Sequence, residues 1–184
     1  MMKNSNRISH TGKRVISIVT ILFFTLIATS YAGNPEENTY PTSERLFHIA
    51  RSTNKNLVCY DVNLENGKLN TKTPLNVYWV NREERPGETN GLSYFQRKMA
   101  YGYKLVSEGN DFSEVTLTAY SGKKLKICKQ DSKYVCMTTI DDQPAILESL
   151  YVQTKSGSPL SVEYVELQGI STSTGAKVSE RVKK

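Results

Sequence analysis

Alternation of apolar and polar positions dominates the chain after its first forty residues. In LVCYDVNL, Val58, Tyr60, Val62 and Leu64 point one way while Cys59, Asp61 and Asn63 point the other, the pattern of a half-buried strand. Glu65-Asn66-Gly67-Lys68 follows; Asn-Gly suits a two-residue hairpin turn, in which both central residues take positive φ, and it sets Leu64 opposite Leu69. Asn76–Asn81 places Val77 and Trp79 on one face and Tyr78 and Val80 on the other, so it reads as a central strand. After the charged loop from Arg82 to Gly91, the period changes. Leu92, Phe95 and Met99 fall at helical spacing, and Ser93 with Gln96 forms a capping box, predicting one short helix over Gly91–Ala100.

Strand signals resume at Tyr101–Ser107, Ser113–Tyr120, Lys123–Lys129, Tyr134–Ile140, Ile146–Thr154, Leu160–Gln168 and Lys177–Val182, separated by Gly-, Asn- and Asp-rich turns. Across Val162, Tyr164, Val165 and Leu167 the apolar phase slips by one residue, which predicts a β-bulge near Tyr164. The expected fold is mainly β: an antiparallel β-sandwich or barrel of about eight to ten strands with one short α-helix. It forms a single domain over residues 46–184, preceded by a flexible, Pro-containing arm at 33–45.

The first 32 residues follow a different rule. Lys3, Arg7, Lys13 and Arg14 form a basic leader without an acid, and Val15–Ala28 is almost wholly apolar, a signal-peptide pattern with small residues Ser30 and Ala32 before a cleavage site at Gly33. The apolar run is shorter than the roughly 20 residues that span a bilayer. This predicts an exported protein, periplasmic, extracellular or associated with an outer membrane, with no membrane span after cleavage. It also relocates the charge. The chain carries 24 basic and 18 acidic residues, net +6; four of the basic ones lie in the leader, so the remainder is +2, and four more sit in the last ten residues. The body is near neutral, which argues against a nucleic-acid partner, since that calls for a clustered basic face.

Three cysteines and one histidine remain after the leader: Cys59, Cys128, Cys136 and His48. If Asp131, Ser132 and Lys133 form a three-residue loop, Cys128 falls opposite Cys136, within reach of a cross-strand disulfide; a register change of one residue would put them on opposite faces. Cys59 then reads as a small packed hydrophobe. One histidine excludes multi-histidine metal sites, and no cofactor is implied. Any nucleophilic chemistry must run through His48, with Ser52 or Cys59; between Phe47 and Ile49, however, His48 reads first as structural. The pairs Asp141-Asp142 and Glu83-Glu84 read as solvated turn acids.

The segments LFHIARSTNKNLVCYDVN, PLNVYW, RKMAYGY and YVELQGISTSTGAKVSERV together resemble the bacterial domain of unknown function family 4833, over roughly Leu46–Val182. The resemblance implies a single secreted domain and carries over no activity or site residue.

What remains is a non-catalytic binding module for a small ligand or an envelope component, with His48, Arg51, Asn54, Asn56, Trp79, Arg82, Arg97 and Tyr101 as candidate ligand-binding residues and no catalytic or metal-binding residue assigned. The alternatives are a hydrolase or transferase acting on envelope lipid or glycan through His48, and a structural partner in envelope assembly that presents a sheet edge or the basic tail.

Overall fold

The structure, a computed structural model, describes residues 44–156 and 158–183. The leader at 1–32, its cleavage site and most of the predicted arm lie outside these residues. The first strand begins at Arg45, one residue before Leu46.

Among the described residues thirteen strands follow in chain order: β1 (Arg45–Arg51), β2 (Asn54–Val62), β3 (Leu64–Glu65), β4 (Lys68–Leu69), β5 (Leu75–Val80), β6 (Thr89–Gly91), β7 (Tyr103–Glu108), β8 (Phe112–Leu117), β9 (Tyr120–Gln130), β10 (Lys133–Ile140), β11 (Gln143–Lys155), β12 (Ser158–Ser171) and β13 (Lys177–Lys183). One short helix, α1 (Tyr94–Gln96), lies between β6 and β7 and continues as a π-helical turn over Arg97–Tyr101. The protein is thus mainly β with one short helix, as the periodicity predicts. Two details differ from expectation. Eleven strands join in a single sheet rather than two packed sheets, with β3 and β4 forming a separate hairpin, and that sheet is mixed: β1 runs parallel to β11.

The sheet forks at β11. One edge of this 13-residue strand carries β12 along almost its whole length; on the other, its first half pairs with β10 and its second half with β1. The wing β1-β2-β5-β6 and the wing β10-β9-β8-β7 therefore leave the same strand, and side chains from both meet in one core. Phe47, Ile49, Val58, Tyr60 and Val62 enter from the first wing; Val115, Leu117, Leu125, Ile127, Cys136 and Ile140 enter from the second. A register shift between Leu147 and Ser149 changes the inward phase of β11 from Ala145 and Leu147 to Leu150 and Val152, so both halves of the strand face the core. The predicted bulge is present at Glu163: Gln153 pairs with Tyr164, but Thr154 pairs with Val162.

The turns follow local chemistry. Asn66 and Gly67 take φ of 52° and 75°, and Leu64 faces Leu69 as the Asn-Gly turn predicts. Asp141 and Asp142, at φ 50° and 58°, form the two-residue loop between β10 and β11, both exposed, as the turn-acid reading expects.

The loop between β9 and β10 corrects the disulfide prediction. It holds two residues, Asp131 and Ser132 (φ 46° and 70°), not three, and Lys133 already pairs with Gln130. This one-residue slip puts Cys128 opposite Val135 and Cys136 opposite Ile127, so the two thiols lie on opposite faces of the sheet and are free. Cys136 is buried in the core; Cys128 lies half-buried on the other face with its thiol 3.6 Å from Met137 Sδ. Native alkylation is expected to modify Cys128 alone and all three cysteines only in denaturant, with no Cys128–Cys136 bridge under mild oxidation; peptide mass spectrometry checks this.

Candidate functional site

The end of the first wing gathers amides. Asn54 and Asn56 stand on β2, Trp79 on β5 and Asn90 on β6, while Asn81 follows β5 directly. Register explains the assembly: Val58 pairs with Trp79 and Trp79 with Asn90, so these positions and, by alternation along β2, Asn56 and Asn54 share the face that continues into the core. Gln96 comes from α1, whose capping box is formed as predicted: Ser93 Oγ accepts from the Gln96 amide N–H and Gln96 Oε1 from the Ser93 amide N–H. Asn54, Asn56, Trp79, Asn81, Asn90 and Gln96 line a cleft of about 330 Å³ with no charged side chain.

The polarity of this cleft is set by what its amides already bond. Asn54 Oδ1 accepts from the Asn56 backbone N–H at 3.1 Å, Asn56 Oδ1 from that of Arg82 at 2.9 Å, and Asn81 Oδ1 from those of Glu83 and Glu84 at 3.0 and 3.2 Å. Gln96 Oε1 is held by Ser93. Backbone N–H groups only donate, so these contacts turn the oxygens of Asn54, Asn56, Asn81 and Gln96 to the backbone and leave their NH2 groups, which these bonds do not use, as the donors at the cleft lining. The Trp79 indole N–H is buried and has no hydrogen-bond partner among the described residues. The site is therefore uncharged and rich in donors, with one aromatic surface. Behind it, Trp79 meets the Tyr101 ring edge-on at a centroid distance of 5.1 Å, and Arg51 Nη1 donates to the Tyr101 hydroxyl at 2.7 Å, which steadies the tryptophan from below.

The sequence candidates divide between two places. Asn54, Asn56 and Trp79 line the cleft; Tyr101 and Arg51 support it; Arg97 is exposed in the π-helical turn next to Gln96. His48 and the Arg82 side chain belong elsewhere. His48 lies between the core residues Phe47 and Ile49, hence on the opposite face of β1, paired with Cys59, which in turn pairs with Tyr78. On that face Cys59 packs with Leu57 and Val80, while Arg45 and Tyr78 both hydrogen-bond the Asp61 carboxylate. Burial, then the nearby Arg45 and Arg82 guanidinia, lower the His48 pKa to about 4; burial raises the Cys59 thiol to about 11. Both groups are therefore neutral at pH 7, and the thiolate that a Cys-His nucleophile requires is absent. The Ser52 hydroxyl bonds Thr154 Oγ1 at 3.0 Å. Among the described residues no group of three or more His, Cys, Asp or Glu could hold a metal ion, and no helix is long and apolar enough to cross a membrane.

Sequence reasoning missed Asn81, Asn90 and Gln96 as cleft residues. Asn81 closes a strand and precedes a turn, where an asparagine oxygen typically caps backbone N–H groups, and that was the available signal. Nothing local marks Asn90, which reaches the cleft only through the pairing of β6 with β5.

The family model described as a domain of unknown function (DUF4833) matches residues 47–181. No curated protein and no solved structure matches the chain.

Proposed function

Since the chain belongs to the DUF4833 family, whose description assigns no activity, we propose a function from the cleft itself: a non-catalytic binding module for an uncharged, oxygen-rich ligand, a glycan segment being the class that fits best. The observation that carries this is the orientation of the amides. Four of them turn their oxygens to the backbone and leave their NH2 groups to a ligand that must supply acceptors. Sugar hydroxyl and ring oxygens meet that demand, and a sugar's C–H face suits an aromatic wall. The absence of a charged residue from the cleft lining disfavours a phosphate or carboxylate as the main determinant. The leader read at residues 1–32 supports an exported module, where an envelope glycan would be met.

Trp79 is the one tryptophan of the chain, so its fluorescence reports occupancy of the cleft directly. Titration with neutral oligosaccharides prepared from envelope polysaccharide is expected to shift or quench that emission saturably. Asn90→Ala, at an exposed position outside the core, is expected to weaken binding by about tenfold, the scale of one lost ligand hydrogen bond. An emission spectrum unmoved by every neutral glycan, or wild-type affinity in the Asn90→Ala and Asn54→Ala variants, rejects the reading.

A further inference from the structure

Five large hydrophobic side chains are exposed among the described residues, and all fall between positions 94 and 106: Tyr94 (68%), Phe95 (74%), Met99 (73%), Leu105 and Val106. The first three belong to α1 and the π-helical turn; the other two lie on β7, where a register shift between Leu105 and Ser107 puts consecutive apolar residues in solvent. The charge of the same stretch is one-sided. Arg97, Lys98 and Lys104 are its charged residues, and no acid occurs between Glu88 and Glu108. Tyr94 and Phe95 meet edge-on at 5.8 Å, and Lys98 Nζ lies 5.6 Å from the centre of the Tyr94 ring, which joins cation and aromatic in one unit.

The backbone holds this unit in place. The Ser93–Gln96 capping box closes its start, and at its end the Gly102 N–H donates to the Arg97 carbonyl at 3.0 Å, an approach so close that a Cβ at position 102 would lie 2.0 Å from that oxygen. A helical turn fixed at both ends while presenting Tyr, Phe and Met to water is not a packing element left unfinished. Solvent exposure of such residues side by side marks a contact surface.

We infer that Tyr94, Phe95 and Met99, with Arg97 and Lys98, form a wedge that docks on an anionic lipid surface. The apolar tips enter the interfacial region and the cations meet the headgroup charge. Charge and exposure favour lipid over a protein partner: the three apolar tips stand 68–74% exposed on one turn, and the only charges among residues 94–99 are the two cations, the pairing that an anionic bilayer surface takes. A bilayer asks for no complementary shape and gains from each inserted side chain separately.

The test uses the protein purified from its own host, mixed with vesicles of phosphatidylglycerol and phosphatidylcholine (1:1) or of phosphatidylcholine alone, and sedimented at low and at high salt. The wild type is expected to sediment with the anionic vesicles, less at high salt, and at least tenfold less with phosphatidylcholine alone. Phe95→Ser/Met99→Ser and, separately, Arg97→Gln/Lys98→Gln are each expected to reduce binding at least tenfold with an unchanged thermal midpoint, since all four side chains are exposed. Failure of the wild type to sediment with anionic vesicles overturns the inference, as does equal binding by the Phe95→Ser/Met99→Ser protein. So does concentration-dependent self-association of the wild type that the same double variant abolishes, because the patch is then a protein dock. Glycan titration of Trp79 fluorescence is independent of all these outcomes and keeps the cleft reading separate.

Discussion

Phe47→Ala is expected to destabilise the protein by about 3–5 kcal/mol, the range for truncating a fully buried aromatic. Phe47 is 1% exposed and stacks on Tyr60 with centroids 4.3 Å apart and planes at 11°. Its removal would leave a cavity beside a partner that cannot follow, because Tyr60 is anchored through its hydroxyl, which donates to the Tyr101 carbonyl at 2.8 Å. Against a total stability of roughly 5–15 kcal/mol, such a loss brings the protein near the unfolding threshold. Urea titration should show a lower midpoint at unchanged slope. Tyr101 also carries Trp79 on its ring, so weakened glycan binding should accompany the loss of stability.

The second large effect depends on pH. His48 has a pKa of about 4 in the folded protein and about 6.5 when exposed. The unfolded chain therefore binds a proton that the native state refuses between those values. Stability is fully present above about pH 6.5 and is lost as the pH falls towards 4, by at most about 3 kcal/mol from this residue. The groups around it reinforce the sign: burial acts first, Arg45 and Arg82 repel the added charge, and across the strands stand the neutral Cys59 thiol and the uncharged Ser149. A His48→Gln protein should lose correspondingly less stability than the wild type between pH 7 and pH 4.5, as measured by urea unfolding at each pH. Equal losses would show that carboxylates alone govern acid sensitivity. Glu166 and Glu180, whose pKa values are lowered by Arg181 and Lys123, titrate in both proteins and cancel in the comparison.

Features set by neighbouring residues were legible before any coordinates: the strand alternation, the Asn-Gly turn, the capping box and the bulge beside Tyr164 all rest on contacts a few positions apart. The disulfide prediction failed by one residue. Asp131-Ser132 closes a hairpin as a pair with positive φ, although neither is glycine, and propensity alone does not decide between two- and three-residue loops when both are polar. The forked strand was beyond reach for another reason. Nothing near Arg45–Arg51 shows that its partner will be β11, in parallel, because that choice is made by burial of Phe47 and Ile49 against side chains from the far end of the chain. The cleft was half legible. Asn54, Asn56 and Trp79 carry local signals of a polar strand end and an aromatic face, but separating them from His48 requires knowing which face of the sheet is concave to the core. Phe95 and Met99 have the spacing of a buried helical stripe and instead stand in water, since α1 lasts only three residues and has no wall to lean on.

The parallel pairing of β1 with β11 also sets an order of events in time. His48 aligns with Ser149, so closing this ladder brings together residues about 100 positions apart, and the entropy of forming so large a loop must be met before the pairing repays it. The wing from β7 to β10 is built of successive hairpins and can form early. The first wing is paired locally too, but its apolar face, against which the cleft residue Trp79 packs, stays uncovered until β11 exists to join it to the second. Refolding should therefore show far-UV signal from the hairpins ahead of the Trp79 emission, and a chain halted before residue 143 should hold its binding residues without the site.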